Sequence, residues 1–89
     1  MNVQHVVFEK IETDRWKVRV IIIGEDIEQR ALPVIAEVGD EPVEGIMSLP
    51  GGSLVGFLKQ EPPPGSVLSI GYADHPLQKT TFEFQLLTS

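Results

Sequence analysis

The sequence predicts an all-β fold: a two-sheet β-sandwich of about seven short strands. Three observations lead there. Apolar side chains recur at every second position in brief runs, the period at which a strand sorts its residues between two faces. Apolar residues at i, i+3, i+4 and i+7 are always interrupted by a glycine or proline, so no helix is indicated. The runs are bounded by glycine, proline and aspartate, which supply positive φ, fixed φ and self-bonding turns.

The first run is VQHVVFEKIE, closed by Thr13-Asp14. RWKVRVIII follows. It places Trp16, Val18, Val20 and Ile22 on an inward face and Arg15, Lys17 and Arg19 on the other. After Gly24-Glu25-Asp26 comes ALPVIAEV (31–38), where Pro33 removes a ladder donor and so indicates an edge position or a bulge. PVEGIMSL (42–49) and SLVGFLK (53–59) are separated by Pro50-Gly51-Gly52. The three prolines and glycine of QEPPPG then precede SVLSIGY (66–72). A stiff polyproline segment of about 3.1 Å per residue suits a crossing between two sheets roughly 10 Å apart. The last run, TTFEFQLL, turns Phe82, Phe84 and Leu86 inward and Glu83 and Gln85 outward. A small barrel of the OB or SH3 kind is the alternative architecture.

The chain of 89 residues forms one domain (1–89), and its 42% apolar content suffices for a core. With no cysteine, disulfides, thiolate metal sites and thiol nucleophiles are excluded. A net charge of −6 disfavours direct nucleic-acid binding, which needs a surplus of Lys and Arg to displace counterions. The N-terminus lacks the basic start and apolar stretch of a leader, and the longest apolar run, Val20 to Ile23, is far too short to span a bilayer. The expectation is a cytoplasmic protein without a membrane partner, or else a secreted chain already freed of its leader.

No group of residues makes an active site. His75 follows Asp74 in a turn, and His5 lies in an alternating strand; two histidines 70 residues apart without cysteine do not make a zinc centre. Glu25, Asp26 and Glu28 lack the spacing of a calcium loop. Gly51-Gly52-Ser53 is neither a nucleophile elbow nor a phosphate loop. No catalytic residue, metal or cofactor is expected.

Three stretches carry a family resemblance. VRVIIIGEDI resembles the V-x-I-x-G-x-x-F strand and turn of IPT/TIG domains, which are early-set immunoglobulin-like folds. ALPVIAEVGDEPVEGI resembles the following V-x-V-G-G-x-P-A-x-V hairpin, with Gly39 and Pro42 at the turn. FLKQEPPPGSVLSIGYAD resembles the family's crossing, in which Pro-Pro-Gly precedes the penultimate strand. The three fall within residues 18–74. The family's opening P-x-I-x-x-x-x-P-x-x-G has no counterpart in residues 1–14, which carry His5, Phe8 and Glu9 instead. The resemblance implies an immunoglobulin-like sandwich that binds a partner or spaces other domains, and no catalytic residues.

A surplus of apolar side chains points the same way. Ile21 and Ile23 continue the face that Arg15, Lys17 and Arg19 began, Leu87 stands beside Leu86, and Val55 and Phe57 oppose Leu54 and Leu58. A two-layer sandwich should wet its outer faces, so Ile21, Ile23 and Leu87 are candidates for an interaction surface. The expected function is a non-catalytic protein-interaction or self-association module, as a homodimer or with a protein partner. One alternative is a small acidic regulator that competes with nucleic acid for a basic protein, through a continuous patch of Glu25, Asp26, Glu37, Asp40 and Glu41. The other is a carbohydrate-binding or other ligand-binding module that stacks on Trp16 and Tyr72.

Overall fold

Strand-forming alternation is realised over most of the described residues. The computed structural model describes residues 2–25 and 33–86. It contains β1 (Asn2–Lys10), β2 (Val18–Glu25), β3 (Val34–Val38), β4 (Glu41–Pro42), β5 (Glu44–Leu49), β6 (Ser53–Leu58), β7 (Val67–Tyr72) and β8 (Gln78–Glu83), with no helix among the described residues. Two antiparallel four-stranded sheets result: a front sheet ordered β1-β2-β6-β5 and a back sheet ordered β4-β3-β7-β8. Lettered A, B, C, C′, D, E, F and G in chain order, they read A-B-E-D and C′-C-F-G, the winding of immunoglobulin-type sandwiches. The two sheets stay separate rather than closing into a barrel.

The core lies between the sheets and follows the alternation. Val18, Val20 and Ile22 of β2 and Leu54 and Leu58 of β6 face Val34, Ala36 and Val38 of β3 and Leu68 and Ile70 of β7, all buried. Phe8 and Phe84 close one side with an edge-to-face contact at 5.2 Å between centroids. Phe82 and Leu86 are half-buried against the same cluster.

The polyproline corner is a crossing: β6 belongs to the front sheet and β7 to the back. Its last residues form a tight turn in which the Ser66 N–H donates to the Pro63 carbonyl at 3.1 Å and Gly65 takes φ 86°. Pro64 supplies the fixed φ before it, giving the geometry of a type II turn. The Ser66 hydroxyl adds a second bond to the same carbonyl at 2.7 Å.

Four details differ from the sequence reading. Strand β3 starts at Val34, so Pro33 stands just before the strand, where its carbonyl accepts from the Ala73 N–H at 3.1 Å. The run 42–49 is divided between the sheets: β4 ends at Pro42, Val43 is buried between them, and β5 begins at Glu44. The last run also changes sheets, since β8 ends at Glu83 and Leu86 then makes a parallel bridge to Phe8 of β1. Finally, Trp16 does not share the inward face of Val18, Val20 and Ile22. Thr13 reorients the entry to β2: its hydroxyl accepts from the N–H groups of Arg15 and Trp16 and donates to the Trp16 carbonyl. The ring is thereby carried to the outer side, where it stacks on Phe57 with centroids 4.4 Å apart.

Candidate interaction surface

Register alone maps the outer face of the front sheet. Residues opposite one another on paired strands share a face, so three rows run across β1, β2, β6 and β5. The first row is Glu9, Arg19, Phe57 and Glu44; the second is Val7, Ile21, Val55 and Met47; the third is His5, Ile23, Ser53 and Leu49. The middle row is wholly apolar. Ile23, Met47 and Leu49 are 41%, 54% and 38% exposed, three of the four large apolar residues most open to solvent among the described residues. The fourth, Ile35, lies on the outer side of the back sheet beside Glu37.

A bulge puts Met47 and Leu49 on this face. Between the Glu44–Phe57 and Met47–Val55 pairs, β5 carries one residue more than β6, and Gly45 there has φ 63°. The extra residue turns Ile46 inward against the core, opposite Gly56, and so turns Met47 and Leu49 outward.

The charges of the first row are compensated within the sheet. Arg19 lies 3.9 Å from Glu9, and Lys59 lies 3.7 Å from Glu44, all four side chains remaining partly exposed. Such pairs contribute little stability, about 0–1 kcal/mol each, but they compensate the charges of the first row. Trp16 covers the lower end of the face between Phe57 and the Arg15 guanidinium, which sits 5.3 Å from its ring centre. Both ring faces are thus occupied. The indole N–H and one carboxylate oxygen of Glu44 are buried without a hydrogen-bond partner.

The sequence-based candidates are distributed as follows. Ile21 and Ile23 stand side by side in this face, and Leu87 lies outside the described residues. Of the proposed acidic patch, Glu37, Asp40 and Glu41 gather around the β3–β4 turn. Glu25 ends β2 at the opposite end of the sandwich, an eight-residue strand away, about 25 Å, and Asp26 lies outside the described residues. Glu25 is therefore not brought together with Glu37, Asp40 and Glu41, and Glu28 of the considered calcium turn is, like Asp26, outside the described residues. Tyr72 faces the core at the far end of the back sheet, so it and Trp16 share no site. His75 pairs with the Asp74 carboxylate at 2.5 Å in an exposed turn. Among the described residues, no three His, Cys, Asp or Glu side chains are grouped to hold a metal ion. Sequence reasoning missed Met47 and Leu49, and Gly45 was the signal for the bulge that exposes them.

No protein-family model matches this chain, and comparison with curated proteins and with solved structures likewise finds no match.

Proposed function

We propose that the protein is a non-catalytic, immunoglobulin-like interaction module that associates with a second copy of itself through the outer face of the front sheet. The observation that carries this reading is the apolar row Val7, Ile21, Val55 and Met47, flanked by the exposed Ile23 and Leu49. An antiparallel sheet with a solvated outer face should present polar residues there. At about 4.8 Å by 6.7 Å per position, the seven apolar positions of this face (Val7, Ile21, Ile23, Met47, Leu49, Val55 and Phe57) make a patch of roughly 220 Å² in projection, interrupted at Val55, which is buried.

Charge favours a second copy as the occupant. The chain carries −6 overall, yet on this face Glu9 is matched by Arg19 and Glu44 by Lys59. The outer positions of the back sheet hold Glu37 and Glu83 against Lys79. Two copies meeting through their front sheets therefore avoid stacking uncompensated carboxylates. The modest area sets the strength: it falls below the roughly 1,200–2,000 Å² total of stable complexes, so the dimer is weak and transient. The IPT/TIG-like stretches within 18–74 agree with this reading, since that resemblance implies binding rather than catalysis.

Sedimentation velocity tests it. The wild type should rise above the 9.8 kDa monomer as concentration approaches roughly millimolar, while Ile23→Lys combined with Met47→Lys stays monomeric with an unchanged circular dichroism spectrum. A wild type that sediments as a monomer throughout defeats the proposal.

A further inference from the structure

The backbone, through one bulge, decides which side chain of β5 meets solvent. The extra residue at Gly45 sends Ile46 to the core and Met47 outward. The thioether of Met47 is thereby 54% exposed, more than any other large apolar side chain among the described residues. It ends the row that continues through Val55, Ile21 and Val7. The other apolar side chains of this face, Val7, Ile21, Ile23, Leu49, Val55 and Phe57, are hydrocarbon. Met47 alone among them can be made polar by a two-electron oxidant.

Little else in the chain competes for such an oxidant. There is no cysteine, so a peroxide finds no thiol. Of the two methionines, Met1 lies outside the described residues. The sole indole, Trp16, is covered on one ring face by Phe57 and on the other by the Arg15 guanidinium.

We infer that Met47 is a redox-sensitive modification site: a hydroperoxide converts it to methionine sulfoxide, which dissolves the contact between two front sheets. The inference rests on the self-association proposed above. A lone pair of the sulfur attacks the distal oxygen of the hydroperoxide. The sulfur–oxygen bond forms as the oxygen–oxygen bond breaks, sulfur gives up two electrons, and the proton ends on the departing oxygen as water or an alcohol. The product is polar and accepts hydrogen bonds. In the monomer it stays in water, since residue 47 is exposed and outside the core. In the dimer it would be desolvated against apolar side chains that offer it no donor. A two-fold contact brings Met47 from both copies, so the penalty counts twice. Because the dimer is weak, monomer remains in exchange with it and the sulfur stays within reach of the oxidant.

The probe is hydrogen peroxide, with oxidation of Met47 and of Met1 followed separately by peptide mass spectrometry. At about millimolar protein, oxidation of Met47 should weaken the dimer about tenfold or more in sedimentation velocity. The circular dichroism spectrum and urea midpoint should stay those of the untreated protein. Loss of dimer should follow the oxidised fraction of Met47, not that of Met1. Methionine sulfoxide reductases for both sulfoxide epimers, with dithiothreitol as reductant, should restore it, and in a chain without cysteine the thiol has no other target. A dimer that persists once Met47 is fully oxidised overturns this inference and leaves the reading of the face standing. A wild type that is monomeric before peroxide overturns both. A lowered urea midpoint, or a dimer still lost after Met47 has been reduced, also overturns the inference, by placing the damage in the fold or at another residue.

Discussion

Replacing Gly56 with alanine tests the way β5 is fitted to the front sheet. A Cβ at this position would lie 2.3 Å from Cγ1 of Val43 and 3.3 Å from Cγ1 of Ile46. Val43 cannot readily retreat: it is buried where the chain passes from β4 to β5, its N–H is bonded to the Ala36 carbonyl at 2.9 Å, and β-branching stiffens its χ1. Overpacking of this kind costs about 1–3 kcal/mol. Val43→Ala alone removes two buried methyl carbons and should cost about 2 kcal/mol. Together the two changes should cost about 2 kcal/mol rather than about 4, because the smaller residue 43 leaves room for the new methyl. An 89-residue domain has about 4–13 kcal/mol of stability, so each single variant should unfold at clearly lower urea. The transition can be followed by fluorescence of Trp16, the sole tryptophan. A Gly56→Ala protein within about 0.5 kcal/mol of wild type would refute the packing argument, and so would a cycle additive to that tolerance.

Gly65→Ala should cost about 1–2 kcal/mol through backbone strain alone, because φ is 86° and nothing lies within 4 Å of the added Cβ. Gly65→Asn should cost less, and equal midpoints for wild type and Gly65→Ala in urea would contradict the turn assignment. Trp16→Phe keeps an aromatic ring for Phe57 while removing a buried indole N–H that has no partner, so stability should change by less than about 1 kcal/mol or rise. A loss above about 2 kcal/mol in thermal unfolding would show that the indole group is satisfied after all. A Phe8→Leu, Phe84→Leu cycle should return about 0.5–1.5 kcal/mol of coupling for the edge-to-face pair, and a coupling of zero would remove that contact from the account of how β1 is held.

Strand positions were legible in the sequence because alternation is a local property. VRVIIIG and SLVGFL sort their residues as the structure does, including the second apolar face of Ile21, Ile23, Val55 and Phe57. The crossing at Pro62 to Gly65 was legible for a similar reason, since proline forbids a central strand whatever surrounds it. What escaped depends on interruptions that alternation does not encode. Counting by twos from Val43 turns Met47 inward; the Gly45 bulge adds one residue and reverses every side chain after it. Trp16 follows the same logic, because the Thr13 hydroxyl, by binding backbone groups, ends the alternation two residues before β2 begins. The acidic patch failed to gather for a topological reason. Segments near in sequence are carried to opposite ends of the sandwich by the strands, so Glu25 at the end of β2 lies a strand's length from Asp40 in the β3–β4 turn.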